Sequence, residues 1–171
     1  SGIVIMDSVL SGSGGMASEA GHISVDPGGE RCSCGSTGCW NQVASLRALL
    51  DRVCSQIKGG APSILPAMVQ GNLDRLTLDH ILQAAREKDK VALSALEKTG
   101  YWLGVGIANL INLLDPESVV LGGPMSAAYD AILPVIQREV DQRSYVASNR
   151  KCALYPAKLG EDSCLYGALA V

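Results

Sequence analysis

With 171 residues, 47% hydrophobic and 18% charged, the chain can bury a real core within the size of one compact domain, and a disordered polypeptide does not fit that composition. Aromatics make up only 4% and Phe is absent, so the interior has to be assembled from Leu, Val, Ile and Ala. A formal charge of −3 argues against this chain alone gripping a phosphate backbone, and the longest apolar run, Val105–Leu114, is about half the roughly 20 residues needed to cross a bilayer.

The chain starts at once on a strand-like run, Ile3–Met6, with no basic segment and long apolar stretch of a secretory signal, which suggests a piece of something longer. Gly2–Met6 and Ser8–Leu10 read as a hairpin, Ser11–Gly15 as a flexible loop and His22–Val25 as β-like. Residues 26–39 are loop, carrying Pro27, Gly28, Gly29, Gly35 and Gly38. From Trp40 to about Ile57 the residues Val43, Leu46, Leu49, Leu50, Val53 and Cys54 keep to one face, which predicts a single helix broken by the Gly59-Gly60 pair.

Residues 62–76 are mixed in pattern, and Leu78–Lys88 predicts a helix with Thr77 as N-cap. His80, in that helix, has no partner motif and reads as a surface or packing residue. A long helix is predicted from Lys90 to Leu114, with apolar positions 93, 96, 103, 107, 110, 111 and 114, stopped by Asp115-Pro116. A buried strand, Ser118–Leu121, then ends in a double-glycine turn. Residues 126–142 form another helix, 151–157 a second strand and 161–171 a terminal helix with acids in its first turn. This alternation points to an α/β sheet with crossover helices.

Three of the six cysteines crowd into a loop, in the pattern His22-x9-Cys32-x-Cys34-x4-Cys39. Structural zinc is tetrahedral and takes thiolate and imidazole ligands, so one His and three Cys fill its shell. Gly35 and Gly38 allow the tight turns that bring Cys34 and Cys39 to one ion. The competing readings are a disulfide or buried free thiols. Cys32 and Cys34 can scarcely bridge each other without strain, and a third thiol is left over. Zinc is therefore the expected cofactor, in a reducing, cytoplasmic setting, with Cys54, Cys152 and Cys164 simply buried.

The stretch Gly21–Trp40, with its Gly-His followed by Cys-x-Cys-Gly-x-x-Gly-Cys, resembles the signature of the ROK family of repressors, open reading frames and sugar kinases. The glycine-rich segment before it, the run Gly100–Ser126 and the end of the chain resemble the same family, so the likeness covers nearly the whole sequence. It implies a ribonuclease H-like, actin-like fold with a mixed sheet, crossover helices and a zinc loop over 22–39. Residues 1–171 would be the C-terminal lobe. The catalytic Asp and phosphate loops of the family's kinases are not found in this sequence, so this chain alone is not expected to phosphorylate anything.

The resemblance also implies ligand roles. The family motif Glu-x-x-His falls on Glu19 and His22, and one imidazole nitrogen can hold zinc while the other faces sugar hydroxyls. Taken alone, Glu19 reads rather as a solvated loop charge, because Glu is mostly exposed. The family's kinases place a second Glu two residues after the last Cys, where this chain has Asn41, which reads either as a sugar ligand or as a helix cap. Trp40 resembles the family's regulators more than its kinases. Gly122 and Gly123 resemble the kinases' adenine-side loop and are read as a remnant kept for scaffold.

The expected function is the sugar-sensing and oligomerising lobe of a transcriptional repressor, with a C-terminal lobe of a sugar kinase as the alternative. A zinc-stabilised dimerisation domain with no small-molecule ligand is a third reading. The expected partners are a small sugar and further copies of the chain, as a dimer or tetramer. DNA would be reached only through a separate N-terminal domain, and no membrane is expected.

Overall fold

The computed structural model describes residues 1–169; Ala170 and Val171, the end of the expected terminal helix, and the side chains of Ser148, Cys164, Ala168 and Leu169 lie outside the described residues. A short hairpin opens the chain, β1 (Val4–Ile5) and β2 (Ser8–Val9), paired antiparallel with Ile5 opposite Ser8. Its two-residue connection, Met6-Asp7, has positive φ at both positions, the turn geometry that follows the twist of a hairpin. The loop that carries Cys32, Cys34 and Cys39 follows, and then helices α1 (Trp40–Ala44), α2 (Leu46–Lys58), α3 (Leu65–Met68) and α4 (Leu78–Arg86). Helix α5 (Lys90–Leu114) leads to β3 (Ser118–Leu121), α6 (Tyr129–Arg143), α7 (Tyr145–Asn149), β4 (Ala153–Pro156) and α8 (Ser163–Leu169).

Helix α5 is the axis of the molecule, with α1, α2, α4, α6 and α7 all packed on it. Asp89 starts it: the buried carboxylate accepts from the backbone N–H of Ala92 at 2.9 Å and from that of Ile64 at 2.8 Å. Its end falls at Asp115, whose left-handed φ of 43° leaves the helical region just before Pro116. The buried face is made largely of small residues, Ala92, Ala95, Thr99, Gly100, Gly104, Gly106 and Ala108, beside Leu96, Ile107 and Ile111. Leu93, expected inside, is exposed. Close approach of α6 explains the small residues. A Cβ on Gly104 would lie 2.5 Å from Cβ of Glu139, and one on Gly100 would lie 3.0 Å from Cβ of Val135, so α6 seats directly on the glycines. Glu139 is buried there and is paired with Arg138 at 3.1 Å and Arg143 at 3.0 Å.

Strands β3 and β4 pair in parallel, Ser118 opposite Ala153 through Leu121 opposite Pro156, joined by the α6–α7 crossover. The fold is thus α/β, but the expected single mixed sheet is not formed among the described residues. The antiparallel hairpin and the parallel pair are separate two-stranded sheets. Each pair satisfies one edge of each strand and leaves the other open, with Val4, Val9, Val120 and Tyr155 exposed.

Three further expectations are corrected. His22–Val25 is not a strand: Ala20–His22 is a 3-10 turn, and only Ser24 forms a bridge, with Cys39. The helix predicted from Trp40 to Ile57 is broken at Ser45, whose extended backbone and hydroxyl, accepting from the N–H of Ala48, make it the N-cap of α2. His80 has a partner after all. It sits three residues past Thr77 in a reciprocal cap, with Nδ1 accepting the Thr77 N–H at 3.2 Å.

Candidate functional site

The loop over residues 22–39 folds by its own backbone bonds. Gly38 accepts from the N–H of Val25 at 2.9 Å and donates to the carbonyl of Glu30 at 2.9 Å, and Cys32 donates to Ser36 at 2.8 Å. Gly38 has φ +67°, and a Cβ there would lie 1.6 Å from the carbonyl oxygen of Asp26, so no side chain fits. These constraints turn the loop back on itself and place its donors together. The ligand atoms of His22, Cys32, Cys34 and Cys39 all lie within 4.8 Å of one another.

Four donors about a tetrahedral ion, at about 2.0–2.3 Å from it, stand about 3.4–3.8 Å apart. The sulfurs of Cys34 and Cys39 are 3.5 Å apart, and the Cys32 sulfur is 3.7 Å from Nδ1 of His22. The residues therefore fit one metal ion, held by three thiolates and Nδ1, with Nε2 of the exposed His22 left over. The electrostatics differ between two of the thiols. A hydrogen bond from the Cys34 backbone N–H, opposed by burial and helped by the neighbouring side chains, brings the Cys32 thiol down to about 6. Burial, with the adjacent thiols and their charge, pushes Cys39 up to about 11. Cys32 is thus biased toward the thiolate, the form that binds a metal, and Cys39 toward the thiol. A bound divalent ion would deprotonate all three.

Glu19 and His22 lie at the two ends of one turn, the His22 N–H donating to the Glu19 carbonyl at 3.0 Å, and both side chains are exposed. Asn41 packs on the middle of that turn: a Cβ on Gly21 would lie 3.6 Å from Cβ and Cγ of Asn41. The three residues expected at the sugar are therefore neighbours on one open face beside the metal ligands. Asn41 is not a cap. Cys39 occupies the N-cap position of α1 and Ser45 that of α2, leaving the Asn41 amide exposed. Gly122 and Gly123 close the end of β3, where the Gly123 N–H donates to the Gly160 carbonyl at 3.1 Å.

The sequence reading missed what anchors this face. Trp40, the residue after Cys39, donates its Nε1–H to the Trp102 carbonyl at 2.7 Å. Its ring fills a notch at Gly106, where a Cβ would lie 2.0 Å from Cε2. At the other end of α1, the guanidinium of Arg52 donates to the Val43 carbonyl at 2.9 Å and to Oγ1 of Thr99 at 2.7 Å. The only sequence trace of the notch is the Gly104-Val105-Gly106 run inside a long helix.

The sequence profile of the ROK family matches residues 1–171, the whole chain. The chain belongs to the ROK family. Among its ROK relatives, the putative xylose repressor of a Caldicellulosiruptor species is 32% identical over 170 residues, covering 99% of this chain and 42% of the repressor. The glucokinase of Streptomyces coelicolor is 36% identical over 172 residues, covering 98% of this chain and 54% of the kinase. The chain thus spans about half the length, or less, of the curated relatives it matches. Among solved ROK structures, a Streptomyces griseus glucokinase in complex with glucose and AMPPNP superposes with TM-score 0.86 at 32% identity, over 98% of this chain and 55% of that one. A ROK transcriptional regulator homologous to the Escherichia coli MLC protein gives 0.79 at 34% identity, over 91% and 38%. These neighbours agree with the expected actin-like class. No helix among the described residues is long and apolar enough to cross a membrane.

Proposed function

We propose that this chain is the sugar-sensing and oligomerising C-terminal lobe of a ROK-type transcriptional repressor, stiffened by one zinc ion. Zinc is the metal that three thiolates and an imidazole in a closed tetrahedral shell suit best, and it would supply rigidity rather than chemistry. His22, Cys32, Cys34 and Cys39 would hold it. On the adjoining face, the Glu19 carboxylate would accept hydrogen bonds from two neighbouring sugar hydroxyls, Nε2 of His22 would meet a third, and the Asn41 amide would donate and accept without charge. Sugar binding there would close this lobe on a second one, and DNA contact would come from a domain outside this chain, in keeping with its net charge of −3.

Asn41 carries this reading, because the family's kinases place a glutamate at that position. The relatives named as repressors carry xylose and N-acetylglucosamine in their names, which supports a pentose, hexose or N-acetylated amino sugar as the ligand class. The second reading, the C-terminal lobe of a sugar kinase, is favoured by the identity to the Streptomyces coelicolor glucokinase.

One experiment separates them. The full-length protein is titrated with hexoses, pentoses and N-acetylated sugars by calorimetry, with ATP present and ADP release followed in parallel. The repressor reading expects heat from a sugar without ADP, and the kinase reading expects sugar-dependent ADP. No heat from any sugar removes the sensor. Asn41→Glu is expected to change the affinity of the sugar that binds, and an unchanged affinity would strike Asn41 from the site.

A further inference from the structure

We infer that Arg52 is a positioning residue for this site, clamping α1 and with it Cys39 and Asn41 against α5. The functional value of the clamp rests on the sugar and metal reading above; the clamp itself is a matter of geometry. Helix α1 has five residues, too few to hold its shape alone, and it ends where the chain turns at Ser45 into α2. Something else has to fix its orientation, because it begins beside a metal ligand and carries Asn41 on its exposed face.

Trp40 fixes the first residue. The last turn is fixed by Arg52. The Val43 carbonyl is one of the acceptors that a helix end leaves without a partner, and Nη2 of Arg52 supplies the missing donor at 2.9 Å. Nη1 reaches Oγ1 of Thr99 at 2.7 Å. Thr99 is fully buried and spends its only hydroxyl proton on the Ala95 carbonyl at 2.9 Å, so its oxygen faces Arg52 as an acceptor. A continuous chain of bonds thus runs from the backbone of α5 through Thr99 and Arg52 to the end of α1. Among the described residues no carboxylate pairs with Arg52, and burial lowers its pKa. A half-buried guanidinium with two neutral acceptors on two elements is suited to bridging them. The planar fork matters, since the single ammonium of a lysine cannot reach both with the same geometry.

The test is hydrogen exchange by mass spectrometry on the full-length protein, metal-free and zinc-loaded, for the parent, Arg52→Met and Arg52→Lys. Methionine keeps much of the apolar stem and removes both bonds. The expected result is about tenfold faster exchange in the peptide over residues 39–45, with α2 and α5 within twofold of the parent. Lysine should restore part of the protection. Chelator competition, with cobalt(II) as a spectroscopic stand-in, should show about tenfold weaker metal retention and a shifted visible spectrum in Arg52→Met. Unchanged exchange over 39–45, or an increase spread evenly along α2 and α5, would overturn the clamp. The exchange readout needs neither metal nor sugar, so a parent that binds neither would remove the functional reading while exchange still decides the clamp.

Discussion

Replacing Gly106 by alanine isolates the contact that ties the metal loop to the helical layer. In an ordinary helix the change stabilises by about 1 kcal/mol, because alanine loses less conformational freedom than glycine. Here the new methyl would lie 2.0 Å from Cε2, 2.3 Å from Cζ2 and 2.5 Å from Cδ2 of Trp40. Carbon atoms rest at about 3.5–4.0 Å, so the ring has to withdraw by roughly 1.5 Å or leave the notch. Leaving breaks the Nε1–H bond to Trp102, a loss of about 1 kcal/mol. It also re-exposes apolar ring surface, and about 100 Å² at about 25 cal/mol per Å² is another ~2.5 kcal/mol. Set against the helix gain, the net destabilisation is about 2–3 kcal/mol. Denaturant unfolding of Gly106→Ala, Trp40→Ala and the double variant measures it. With the ring gone its three close contacts are relieved, so the double variant should be no less stable than Trp40→Ala, and more stable by up to about 1 kcal/mol. If Gly106→Ala alone proved as stable as the parent, the notch would not hold Trp40.

Gly38→Ala combines a φ of +67° with the 1.6 Å approach to the Asp26 carbonyl, and should abolish metal retention in a chelator-competition assay while leaving the helical circular dichroism in place. Asp89→Asn keeps one accepting oxygen but turns an NH2 toward the other backbone N–H, and should weaken the start of α5 by about 1–2 kcal/mol at neutral pH. Burial alone would raise the Asp89 carboxyl, but the N–H groups of Ala92 and Ile64 and the Ser63 hydroxyl hold it below its ordinary 3.8. The stabilisation is therefore complete above about pH 4 and is lost as pH falls through the lower folded value, so unfolding curves of parent and Asp89→Asn should converge in acid. Thr77→Ala removes the hydroxyl half of the reciprocal cap with His80 and should cost about 1 kcal/mol in the same assay.

The His/Cys cluster was legible in the sequence because a tetrahedral ion needs a fixed number of soft donors, and the turns between them need glycine. The proposed sugar face was legible only through the family resemblance, since Glu19 and Asn41 have no pattern of their own. The break at Ser45 was not legible: the apolar spacing runs unchanged from Val43 through Leu46 to Leu50, and serine is neutral enough in a helix to pass unnoticed. Gly100, Gly104 and Gly106 drew no expectation from the apolar spacing of their helix, yet they are where α6 and Trp40 approach it closely. Arg52 left no trace, because its partners are a carbonyl and a hydroxyl in distant segments. The open sheet edges were likewise invisible, since strand propensity reports that a segment is extended and not which strand lies beside it.

The account stands most directly on what occupies the cluster of His22, Cys32, Cys34 and Cys39. Elemental analysis of the purified full-length protein, paired with thiol titration of the native state, decides it. The expectation is one zinc per chain, with Cys32, Cys34 and Cys39 protected from the thiol reagent until a chelator removes the metal. A protein with no bound metal, whose three loop thiols react at once, would contradict the account.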